Sequence, residues 1–206
     1  MTDFLEVVRE RRSANKFIKD IKIPREDFNE IFRDLSLAPS AFNLQHARYY
    51  VVEDKSLMDK VYEAAFKQYK IKTASATIIV TGDKKAYLSA DKILEGCMFL
   101  GMIDKAEFQI MINTIHSLYE GWGEGFRHDD AIRNASLSAM MFMLLAKNKD
   151  WDTCPMIYFD KDKISQLLNI PENEVPVLMI TMGKMDKSSN KIRGYRKPAG
   201  EFVKFY

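Results

Sequence analysis

Apolar residues first recur at helical spacing in Phe4, Leu5 and Val8, and the run ends in the basic block Arg9 to Arg12, so a helix is predicted over 4–12 with cations at its C-terminus. Pro24, followed by Glu26 and Asp27, opens a second helix through Phe28, Ile31, Phe32 and Leu35, which stops before Pro39. The polar stretch Pro39 to Gln45 is then a loop. Aromatic and β-branched residues at 49–52 predict a strand, Lys55 to Tyr69 a helix, and the run Ala76 to Thr81 a buried strand. Past a helical stretch containing Phe108, Ile112, Ile115 and Leu118, the longest apolar helix is predicted over 130–147. Its apolar residues cover several faces, so it is expected to be fully buried, with Asp129 and Asp130 capping its start. A strand at 153–159, a helix at 161–168 and a strand at 177–182 complete an α+β pattern.

Composition adds bounds. A chain of 206 residues with 47% apolar and 29% charged residues fits one domain, 1–206, able to bury a core without disulfides or metal. The net charge of +2 gives no reason to expect a nucleic-acid or membrane-surface partner. No apolar stretch reaches the ~18 residues of a membrane span and no secretory pattern opens the chain, so a cytoplasmic location is expected. Cys97, Cys154 and three histidines show no ligand spacing, and no metal site is expected. The basic excess is local: seven Lys or Arg stand against two acids from Lys184 to Tyr206.

Two blocks carry the chemistry. Arg11-Arg12-Ser13 near a helix end offers charge-assisted bonds to a phosphate, and Ser40, Asn43 and Gln45 in a loop offer amide and hydroxyl groups to a polar heterocycle. A phosphorylated ring cofactor would use both. Gly121-Trp122-Gly123-Glu124-Gly125 follows a predicted helix, where a dinucleotide loop must follow a strand, and is read as a turn. No Ser-His-Asp, Cys-His or paired-carboxylate arrangement is found, so no catalytic side chain is assigned.

The order Arg11-Arg12-Ser13, Pro39-Ser40-Ala41-Phe42-Asn43-Leu44-Gln45, Arg133-Asn134-Ala135, Cys154-Pro155-Met156 and Arg196-Lys197-Pro198 resembles the nitroreductase family of FMN-dependent oxidoreductases. The resemblance covers most of the chain; only the span from about 85 to 127 has no clear counterpart. It implies a central, mostly antiparallel sheet flanked by helices, in a homodimer with an exchanged C-terminal tail. FMN would sit at each of two interface sites and carry electrons from NADH or NADPH to a small-molecule oxidant such as a nitroaromatic or quinone.

Residue by residue, the resemblance implies that Arg11, Arg12, Ser13 and Asn15 hold the phosphate and ribityl chain, with Arg193 and Arg196 from the tail. Pro39, Ser40 and Asn43 would come from the partner subunit. Lys67 and Lys70 would lie beside the pyrimidine edge, where Lys70 can stabilise negative charge on the reduced ring. Asn134 and the segment Met156, Ile157 and Tyr158 complete the cofactor set. The excursion at 85–127 is expected to shape the substrate pocket through Phe108, Tyr119, Trp122 and Phe126. Many members carry an acidic residue or glycine, then glycine, where this chain has Ile157-Tyr158, so close backbone approach to the ring is lost and Tyr158 is expected over or beside it. A carrier or sensor with little turnover, and a specialised reductase or dehalogenase on the same fold, are the alternatives.

Overall fold

The computed structural model describes residues 3–206. Its centre is β2, Ala76–Asp83, whose uninterrupted apolar and threonine sequence suits a strand covered on both faces. It pairs with β1, Ala47–Val52, on one side and β4, Glu174–Gly183, on the other, and β3, Asp152–Met156, adds to the far edge of β4. All three pairings are antiparallel, in the order β1-β2-β4-β3.

Alternation along these strands sends side chains into two cores. Ile78, Val80 and Ile180 pack with α2, Arg25–Leu35, and α7, Gly123–Asn148. Ile79 and Met179 face α3, Lys55–Ala64, α4, Tyr69–Thr73, and α8, Lys161–Leu168. Helices therefore cover both faces of the sheet. A third cluster, around Tyr87, Leu94, Ile115 and Tyr119, joins α5, Ala90–Phe99, and α6, Lys105–Gly121, to Leu44. At the crossing of α7 over β2, Gly82 is required by space: a Cβ there would stand 2.5 Å from the carbonyl oxygen of Ala131.

Four expectations change. The helix predicted over 55–69 is two helices, because the Asp160 N–H donates to the Ala64 carbonyl at 2.9 Å and the chain turns through Phe66 and Lys67, at φ 51° and 59°. That turn delivers Ile71 to the second core. The long helix starts at Gly123, whose φ of 76° lets the chain reverse after α6, so Asp130 lies within the helix and caps nothing. Nor is that helix fully buried: Leu137 and Met140 stay about half exposed on its outer face. The first helix, α1, spans Phe4–Glu10, and Arg11 is its C-cap.

Candidate functional site

Arginines gather where three distant segments meet. Ser13 bridges to Thr153 at the start of β3, and the Ala14 N–H donates to the Thr153 carbonyl at 3.0 Å, fixing the residues after α1 against the sheet edge. The tail returns over the same place: Arg12 donates to the Lys191 carbonyl, Arg193 to the Arg9 carbonyl, and Asn15 Nδ2 to the Ser189 carbonyl at 3.4 Å. Arg196 donates to the carbonyls of Gly194 and Tyr195 at 3.1 and 2.9 Å. Burial, with repulsion from Arg193 and Arg196, holds the Arg11 guanidinium below its ordinary pKa. Among the described residues, no carboxylate forms an ion pair with Arg11, Arg12, Arg193 or Arg196. Clustered cations without acids are the donor set of an anion site.

β3 leads from this cluster to a second group. From Thr153 to Met156 the strand advances about 10 Å, at ~3.3 Å per residue, and then exposes Ile157 and Tyr158. Gln68 Nε2 donates to the Tyr158 carbonyl at 2.6 Å, and the Phe66 and Tyr158 rings lie 4.4 Å apart. Lys67 and Lys70 flank this turn, Lys67 within 3.6 Å of Glu63. Thr73, just beyond, accepts from the Phe17 N–H at 3.1 Å and ties the turn back to the arginine segment. The structure thus brings Arg11, Arg12, Ser13, Asn15, Lys67, Lys70, Met156, Ile157, Tyr158, Arg193 and Arg196 to one edge of the sheet. Met156 is buried there and offers backbone only.

Pro39, Ser40 and Asn43 lie elsewhere on the chain, in a loop turned by positive φ at Phe42, Asn43 and Gln45. Ser40 Oγ accepts from the Gln45 N–H at 2.9 Å, and Asn134 Oδ1 from the Ala41 N–H at 2.7 Å. Asn134 Nδ2 donates to the Asp130 carbonyl at 2.7 Å. The oxygen of this buried amide holds the loop and its nitrogen is fixed to its own helix, so Asn134 is placed as a loop anchor. Beneath the loop is a cavity of about 170 Å³, bordered by Phe32, Leu35, Tyr49 and Ser138. Tyr49 Oη lies 2.7 Å from Ser138 Oγ, and burial pushes the phenol up to about 12.

Of the expected pocket residues, Trp122 is exposed and packs edge-on against Phe126, at 4.4 Å. Phe108 is half-buried on the third core. Tyr119 departs from expectation: it is fully inside that core, its hydroxyl donating to Asp130 Oδ2 at 2.7 Å. Asp130 also accepts from Arg133 at 2.6 Å and lies 3.4 Å from His46 Nε2. His46 is buried, and desolvation lowers its pKa despite the attraction of Asp130 and Asp83. Sequence reading missed this network because Asp130 was taken as a helix cap and His46 lies far from it along the chain. It missed Phe66 because a straight helix was expected there.

A sequence model of the nitroreductase family matches residues 8–184. The chain belongs to the nitroreductase family. Among its relatives is a protein of Bacillus subtilis (strain 168) named "Putative NAD(P)H nitroreductase MhqN", 50% identical over 205 residues that span 100% of both chains. The crystal structure of ydfN from Bacillus subtilis superposes with a TM-score of 0.96 at 49% identity, covering 98% of each chain. A crystal structure in complex with FMN, of a protein from Exiguobacterium sibiricum 255-15, superposes with a TM-score of 0.92 at 27% identity, over 100% of this chain and 98% of that one. In this nitroreductase Arg11, Arg12 and the turn against Tyr158 lie within the matched residues 8–184, and Arg193 and Arg196 lie beyond them. No described helix is long and apolar enough to cross a membrane, and the described residues hold no group of three or more potential metal ligands.

Proposed function

We propose that this nitroreductase is an FMN-dependent oxidoreductase that takes electrons from NADH or NADPH and reduces a small-molecule oxidant, a nitroaromatic or quinone. The observation that carries it is the arginine cluster at one end of β3 with an amide- and lysine-bearing turn at the other, the donor set a phosphorylated heterocycle needs. The residues present fit FMN: Arg11, Arg12, Arg193 and Arg196 would hold its phosphate, Ser13 and Asn15 its ribityl chain, and Lys67 and Lys70 the polar edge of the ring. Supporting this, MhqN bears NAD(P)H nitroreductase in its name, and a structural relative was solved with FMN.

When bound, FMN supplies the redox chemistry, accepting two electrons from the nicotinamide and passing them to the oxidant. The chain's own residues bind and tune. A bound phosphate would offset the repulsion that Arg193 and Arg196 exert on the half-buried Arg11. Lys70 would favour negative charge on the reduced ring by its own charge, without moving a proton. No acid or base is required of the protein.

The site is completed by a second copy, which contributes Pro39, Ser40 and Asn43. On one chain these residues lie in a separate region from the arginines, and Asn43 is exposed, with its backbone held in the left-handed region. Apolar surface supports the pairing: Leu137 and Met140 on α7, Phe4 and Leu5 on α1, and Phe202 and Phe205 in the tail are all exposed. A two-fold interface would cover the same patch twice and build two equivalent sites. The test of cofactor identity is direct: purified protein should be yellow, with one FMN per chain released by heat and identified by mass. A colourless protein that takes up no added FMN would overturn the proposal.

A further inference from the structure

Three non-glycine residues of the Pro39–Gln45 loop sit in the left-handed region, Phe42 at φ 50°, Asn43 at 55° and Gln45 at 52°. Backbone of that kind persists where its surroundings over-determine it. Here one residue of α7 holds the loop at both ends. Before the turn, the Ala41 N–H donates to Asn134 Oδ1 at 2.7 Å, and Asn134 Nδ2 donates at 2.7 Å to the carbonyl of Asp130. After it, Nε2 of His46, the residue that follows Gln45, lies 3.4 Å from Asp130 Oδ2. The carboxylate is aimed in turn by two donors, the Tyr119 hydroxyl on Oδ2 at 2.7 Å and Arg133 on Oδ1 at 2.6 Å. Tyr119, Asp130 and His46 are 1%, 3% and 1% exposed, so water does not stand in for a lost partner. Burial and the adjacent carboxylate hold the Tyr119 phenol above its ordinary pKa, which keeps the hydroxyl a donor. Its ring is fixed too, stacked on Tyr87 at 5.2 Å with Phe42 edge-on at 6.3 Å.

We infer that the Tyr119–Asp130–His46 cluster positions the Pro39–Gln45 loop for the cofactor bound to the other subunit: Asp130 is the positioning residue, and the Tyr119 hydroxyl sets its aim. Apolar side chains fill a core as stably as a buried carboxylate does; what a carboxylate adds is direction. Tyr119 lies inside the third core and touches no ligand, yet through Asp130 it governs where Ser40 and Asn43 stand. Its effect on FMN is then felt in the site whose arginines belong to the other chain. A cluster that served only the fold of its own chain would not distinguish the two sites of a dimer.

The inference rests on the proposed FMN site shared by two copies, and the test tells the two apart. Two heterodimers, purified on two different affinity tags, carry the same three substitutions and differ only in where Tyr119→Phe sits. In the first, one chain carries Arg12→Ala, Arg196→Ala and Tyr119→Phe and the other is native, so the site with intact arginines receives its loop from the Tyr119→Phe chain. In the second, Tyr119→Phe is moved to the chain with intact arginines, and that site receives a native loop. FMN-free heterodimers are titrated with FMN and followed by flavin fluorescence. Kd at the arginine-intact site should be about 2- to 10-fold higher in the first than in the second, the worth of one hydrogen bond. If Tyr119→Phe yields no folded dimer, Asp130→Asn takes its place with the same expectation. Asn43→Ala in the same two arrangements is the control for the shared site. Equal or reversed Kd values for Tyr119→Phe, where Asn43→Ala does separate the arrangements, would overturn the positioning role. Equal values for both substitutions would overturn the shared site, and the inference with it.

Discussion

Removing Arg196 separates what the arginine cluster does for the cofactor from what it does for the fold. Its guanidinium reaches only the carbonyls of Gly194 and Tyr195, and it adds to the repulsion felt by Arg11. Arg196→Ala should therefore change the stability of FMN-free protein by less than about 0.5 kcal/mol, as at other surface positions. FMN affinity is a different matter. Each charge-assisted bond to phosphate is worth ~1.5 to 3 kcal/mol, so Kd should rise about ten- to a hundred-fold, nearer the lower figure at physiological salt because the arginine is exposed. Titrating FMN-free protein with FMN and with riboflavin, each followed by flavin fluorescence, isolates the phosphate contribution. FMN should weaken by that factor and riboflavin should hold. Equal losses for both ligands would place Arg196 at the ring, and unchanged FMN affinity would place the phosphate elsewhere.

Asn134→Ala leaves the half-buried Ala41 N–H without its acceptor, which should cost ~1 kcal/mol in urea unfolding and speed amide exchange across 39–45; unchanged exchange there would refute the anchoring role. His46 is held below its ordinary pKa, so the unfolded chain binds the proton more readily. Its contribution to stability is full above about pH 6.5 and is lost as the pH falls from there to the lowered folded value, with a slope up to ~1.4 kcal/mol per pH unit. His46→Gln should flatten that part of the stability-pH curve, and an unaltered slope would contradict the assignment. For the shared site, a chain carrying Arg12→Ala and Arg196→Ala mixed with an Asn43→Ala chain should regain part of the activity in verified heterodimers, since one of the two sites is then intact. No recovery would refute it.

Periodicity made most of the sheet legible in advance, because strands with β-branched residues and paired apolar faces announce themselves locally. The arginine cluster was legible for a different reason: the order of its blocks resembles the nitroreductase family, while charge alone does not say that Arg11, Arg12 and Arg196 meet. What remained hidden depends on tertiary partners. The break after Ala64 arises because the Asp160 N–H, nearly a hundred residues away, takes the carbonyl that would have continued the helix. Asp130 looked like a cap because an acid before an apolar helix usually is one, but Gly123 starts the helix about two turns earlier and that carboxylate accepts from Tyr119 and Arg133. Tyr119 lies on the same face as residues read as pocket wall, and only the packing of α6 against Tyr87 and Leu44 takes it out of reach of a ligand.

The central claim, that the protein binds FMN and cycles it between a nicotinamide and an oxidant, is tested most directly by the visible spectrum of the purified FMN-loaded protein without oxygen. Adding NADH or NADPH should bleach the flavin absorbance within the time of a turnover, and adding a quinone should restore it fully, through repeated cycles. A flavin spectrum that neither nicotinamide changes, or one that stays bleached in the presence of quinones and nitroaromatics, would contradict the account.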